Sequence, residues 1–164
     1  MPEKQLQQSP IDQVPIEELA RRLEGQAQTI SACSDQLRAY ITQLDERLAE
    51  TFKTTGVSYW ESDTPTTEVL YPPDTEEVVA SHYLAVWKHE GRWGLAIALE
   101  RHDKPFPGPS FQCWLREANR EDMIKAAMLL PQFLANYSEK VAAVVHELHE
   151  AANAVQPLLN GITR

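Results

Sequence analysis

The chain has 164 residues, 43% hydrophobic and 24% charged, with a formal net charge of −9 and two cysteines. That is enough for one folded domain, residues 1–164, with its own core. The acidic excess repels phosphate and argues against direct nucleic-acid binding. No apolar run approaches the ~20 residues that span a bilayer. The opening MPEKQLQQSPID also lacks the apolar centre of a secretory signal, so no membrane association and a cytoplasmic location are expected.

Ser9-Pro10-Ile11-Asp12 carries helix-start chemistry, a capping hydroxyl followed by proline at the first helical position. Val14-Pro15 offers a second start. From there Ile16, Leu19, Leu23, Ala27, Ile30, Cys33, Leu37, Tyr40, Ile41, Leu44, Leu48 and Phe52 recur at three- and four-residue steps. This predicts a long amphipathic helix over 10–54, stopped by Gly56. The stretch from Pro15 to Thr54 alone would measure about 60 Å, longer than a domain of this size is wide. Gly25 marks the point where a bend or fraying is expected.

An antiparallel sheet of four to five strands is expected over 57–116. Val57 to Glu61 reads as a short strand, SDTPTT as a linker, and Glu68 to Tyr71 as a second strand ended by Pro72-Pro73. From Thr55 to Ala80 there are six acidic residues, Glu61, Asp63, Glu68, Asp74, Glu76 and Glu77, and no Lys or Arg. The centre of the sheet is HYLAVWKHEGRWGLAIALER, from His82 to Arg101. A three-residue loop His89-Glu90-Gly91 would set Trp87 opposite Trp93, Ala85 opposite Leu95 and Tyr83 opposite Ile97. Those residues and Leu99 would form one face, with Leu84, Val86, Gly94, Ala96 and Ala98 on the other. A hairpin apolar on both faces is one covered above and below.

HDKPFPGPS follows, a loop stiffened by three prolines. Its Phe106 is the candidate anchor for an interaction loop. Residues 111–116 supply the last strand. Asn119 caps a second long helix over 119–156, with Asp122 as its returning partner. Its stripe runs from Met123 through Leu130, Tyr137, Val144 and Leu148 to Val155. Pro131 is expected to kink or break it, and Pro157 to end it. The fold class is therefore α+β, a central antiparallel sheet flanked by long N- and C-terminal amphipathic helices.

Chemistry is sparse. In His146-Glu147-Leu148-His149-Glu150 the histidines are three apart, not the four that a zinc-protease helix needs. His146 could share a cation with His149 or Glu150, but a third ligand would have to come from His82, His89 or His102. The cluster reads as the polar flank of the helix, and no metal or cofactor is expected. No G-x-S-x-G elbow, P-loop or G-x-G-x-x-G occurs, so no catalytic residue is assigned. Cys33 and Cys113 read as reduced thiols, Cys113 quieted by an apolar strand. The tryptophans read as core. Their alternative use is a stacking wall of Trp93 and Trp114, with Arg92, Arg116 and His89 as polar contacts.

The reading that follows is a non-enzymatic interaction or assembly module, adaptor- or chaperone-like. It works as a homodimer through its helices, with a further protein partner open to it. The alternative is a small-molecule-binding or enzymatic domain, its pocket between the hairpin and the second helix and lined by Trp93, Trp114 and Arg116. A third reading has the acidic strip over 61–77 meeting a basic partner.

Overall fold

A computed structural model describes residues 15–70, 77–103 and 108–162, with side chains as far as residue 158. The expected helix start at Ser9-Pro10 and the loop anchor Phe106 lie outside the described residues. The elements are α1 (Ile16–Thr55), β1 (Tyr59–Trp60), β2 (Thr67–Leu70), β3 (Val78–His89), β4 (Arg92–Arg101), β5 (Ser110–Trp114), a 3-10 turn (Leu115–Glu117) and α2 (Arg120–Ile162). The sheet is antiparallel throughout, in the order β1-β3-β4-β5, with β2 also paired to β3. The fold is α+β, two helices flanking a five-stranded sheet. No described helix is long and apolar enough to cross a membrane.

The chain divides between Leu37 and Arg38 into two units. In the first, the helix runs unbroken through Gly25. Thr29 and Ser34 return their hydroxyls to the carbonyls four residues earlier, at 2.9 and 2.7 Å, the usual way a helix accommodates such residues. Its apolar residues Ile16, Leu19, Leu23 and Ile30 are exposed.

In the second unit, α1 buries Ile41, Asp45 and Phe52. It ends as the sequence implies, with Gly56 at φ 62° and its N–H donated to the Phe52 carbonyl at 3.0 Å. At the start of α2 the expected cap is present. The Asn119 side chain accepts from the Asp122 N–H at 2.9 Å, and its amide donates back to the Asp122 carboxylate at 2.6 Å. Met123, Ala126, Leu130, Phe133 and Tyr137 follow as one buried stripe. α2 neither breaks at Pro131 nor ends at Pro157, continuing as one helix to Ile162. Both prolines lie on its exposed side, where a carbonyl deprived of its partner can take water.

The hairpin register differs from the expected one. Glu90 and Gly91 both have positive φ, 49° and 81°, which makes a two-residue turn of the type that matches strand twist. His89 therefore pairs with Arg92, Trp87 with Gly94, Ala85 with Ala96 and Tyr83 with Ala98. Trp93 sits opposite Lys88, so Trp87 and Trp93 lie on opposite faces rather than together. A one-residue slip turns one strand's whole side-chain set over relative to the other. Leu84, Val86, Leu95 and Ile97 form the second face. Tyr83 to Val86 and Leu95 to Ala98 are all buried, as a strand pair covered on both sides must be. β5 ends at Trp114, not Arg116, and a bulge at Gln112 shifts its pairing between Ile97 and Ala98.

Candidate functional site

Among the described residues a buried polar cluster forms where α2 begins. Asp122 is 1% exposed and its carboxylate accepts four hydrogen bonds. Oδ1 takes the hydroxyls of Thr66 and Thr67 at 2.6 and 2.8 Å. Oδ2 takes His82 Nδ1 at 2.9 Å and the Asn119 amide at 2.6 Å. Burial alone would push this carboxyl upward. The bonds from His82, Thr66 and Thr67 outweigh it and hold the group down at about 2. Since an ionised carboxylate only accepts, the imidazole proton resides on Nδ1, and Thr67 Oγ1, 2.8 Å away, closes the same corner. The Thr66 N–H donates to the His82 carbonyl at 2.7 Å, which fixes the backbone beneath the ring.

His82 also lines a cavity of about 310 Å³, together with Val69, Val79, Ala80, Leu99 and Arg101. Arg101 is held by Asp103 through two bonds, at 2.9 and 2.6 Å. A neutral histidine that is oriented by a buried carboxylate and lines a cavity keeps its second nitrogen as a hydrogen-bond or proton acceptor.

A second buried carboxylate, Asp45 on α1, reaches the opposite face at the hairpin end. It accepts from the Leu95 N–H at 2.6 Å and from Arg92 Nη2 at 2.8 Å. It fits there only because residue 94 is glycine, as a Cβ would stand 2.8 Å from Asp45 Oδ1. The small-residue face around Gly94 is thus filled by the chain's own α1. Arg92 lies over the Trp114 ring, 4.7 Å from its centroid. Trp114 meets Phe111 edge to face at 5.0 Å, and Phe111 stacks on His89 at 3.9 Å and 7°.

Of the four residues of the proposed ligand wall, only Arg92 and Trp114 come together. Trp93 points to the other face. The Arg116 guanidinium turns to Glu117 at 3.7 Å, while its carbonyl and that of Ala118 receive the Arg38 side chain. The cavity beside His82 is lined by none of the four. His146 pairs with Glu150 at 3.3 Å on an exposed helix surface. Among the described residues no group of three His, Cys, Asp or Glu is placed to hold a metal. The Cys113 thiol is pushed up by burial and by the nearby Asp122 and Glu117 carboxylates, which leaves it a poor nucleophile at neutral pH.

Sequence reasoning placed Asp122 as a cap and Thr66 and Thr67 in a linker. It missed their meeting at His82, since the partners lie 40 to 56 residues apart. The one local signal was a capping aspartate with more acceptor capacity than its cap uses. No protein-family model matches the chain, and no curated protein or solved structure matches it either.

Proposed function

We propose that this chain is an assembly module that works as a homodimer, joined through its helices. The carrying observation is the surface of α2 beyond Tyr137. Val141, Val144, Leu148, Ala151, Val155 and Leu158 follow one another at alternating steps of three and four residues. Leu148, Val155 and Leu158 are 63%, 52% and 65% exposed. A repeat averaging 3.5 residues is the seam of a coiled coil, which needs a second helix of the same period. Soluble monomers rarely leave a long apolar stripe uncovered, and a two-fold pair of identical chains is the commonest closed solution. The flanks of the seam, Lys140, Val145, Glu147, Ala152 and Ala154, bring no like charges face to face between two parallel copies. The reading asks no bond-making step of the chain. It suits the cytoplasm, where Cys33 and Cys113, both free, would remain thiols.

Light scattering on the full chain at micromolar concentration tests it. The expected mass is twice 18.6 kDa, falling to the monomer in Leu148→Asp. A wild-type protein of monomer mass would overturn the reading.

A further inference from the structure

We propose that the cavity beside His82 binds a small neutral molecule that donates one hydrogen bond, phenol being the simplest of the class. Three observations converge on that chemistry. The Asp122 carboxylate takes the Nδ1 proton and pins the ring. In the neutral ring Nε2 is then the remaining acceptor, on a side chain that lines the cavity. A ring already fixed in place loses little entropy when a ligand arrives.

The rest of the lining selects against charge. Strand pairing sets Val69 opposite Ala80, Ala80 opposite Arg101 and His82 opposite Leu99, all on one sheet face. The surface around the imidazole is consequently aliphatic. Among the described lining residues Arg101 is the one cation, and Asp103 already grips it through two bonds. That carboxylate already balances the guanidinium charge, so an anion gains less there, whereas a neutral hydroxyl meets no competitor at His82. At about 310 Å³ the cavity lies at the lower end of the ~300–1,000 Å³ range of ligand sites. A single ring or a short branched chain is the size it takes. The site does not depend on the pairing of the helices.

The experiment titrates the labelled full-length protein with phenol and, in parallel, with anisole, which keeps the ring and cannot donate. It is run at about pH 8. Phenol is expected to shift His82 Nε2 and the methyl groups of Val69 and Leu99 saturably. Anisole is expected to bind roughly tenfold more weakly, the worth of about one hydrogen bond. Val69→Trp, on the exposed edge of the cavity, fills the space while leaving the Asp122 bond to His82 Nδ1 in place, and should abolish the shifts. Equal affinity for anisole would overturn the donor requirement. Shifts that fail to saturate, or that survive in Val69→Trp, would overturn the site.

Discussion

Each helix sends one buried aspartate into the sheet, and the two solve the same problem differently. Asp45 answers one fixed charge, Arg92, and one backbone N–H, in a space cleared by a glycine. Asp122 answers four side-chain donors from β2, β3, the residue before β2 and the cap of its own helix. The first is a close steric fit that sets how near α1 lies to the hairpin. The second is a polar knot that ties the start of α2 to two strands and includes a histidine that lines a cavity. Removing a buried acceptor costs in proportion to the donors stranded. The two sites should therefore differ in size of effect and in dependence on pH.

The largest loss is expected at Asp122→Ala, which strands His82, Thr66, Thr67 and Asn119 together. Urea unfolding should show a loss of about 3–5 kcal/mol. A loss below about 1 kcal/mol would mean that water replaces the carboxylate and that the knot is not closed. Asp45→Ala should cost less, about 2–3 kcal/mol, because Arg92 is partly exposed and only the Leu95 N–H is left buried without its partner. Gly94→Ala separates steric from polar terms. In the wild type the new methyl collides with Asp45, at an expected cost of about 1–3 kcal/mol. In the Asp45→Ala background that penalty should vanish, and the double-mutant cycle reads the coupling directly. Additive effects would show that the close approach at Gly94 is not what Asp45 requires.

Acid sharpens the contrast further. The folded Asp122 carboxyl sits at about 2, below its ordinary 3.8, so folding favours the ionised form. Its contribution is complete above the ordinary value and is lost as pH falls from 3.8 toward 2. That contribution is roughly 2 kcal/mol. Stability measured from pH 5 downward should fall more steeply in the wild type than in Asp122→Asn. Parallel curves would place the acid sensitivity elsewhere.

What the sequence discloses divides by distance along the chain. The Asn119–Asp122 cap, the Gly56 stop and the order of strands are local, set by residues within a turn of one another, and all are present. Asp45 and Leu95 are 50 residues apart, so Gly94 reads from sequence as a small residue on an apolar face. Only the fold supplies the aspartate that explains it. Thr66 and Thr67 look like linker for the same reason, since their acceptor lies in another helix. Trp93 and Trp114 lie on opposite faces because β5 pairs Trp114 with Ala96, which points away from Trp93 on β4. The turn separates Trp87 from Trp93. A glutamate at positive φ runs against the usual preference for Gly, Asn or Asp, so the three-residue loop was the natural reading. The two prolines in α2 show the reverse case, a strong local rule overridden where the helix surface faces solvent.

That turn governs both carboxylates, and the smallest predicted effect tests it. With His89 paired to Arg92, Gly94 shares a face with Trp87 while His82 lies on the other. Asp45 and Asp122 therefore approach from opposite sides. In the slipped register Gly94 would share the face of Val86 and His82, and both helices would compete for one side of the sheet. Glu90 holds the working register at φ 49°, a conformation that asparagine followed by glycine adopts more readily. Glu90→Asn should therefore raise stability by about 0.5–1 kcal/mol while leaving the cross-strand contacts of His82 with Leu99 in place. A fall in stability, or new contacts between Trp87 and Trp93, would show that the glutamate side chain is needed to keep the two faces apart.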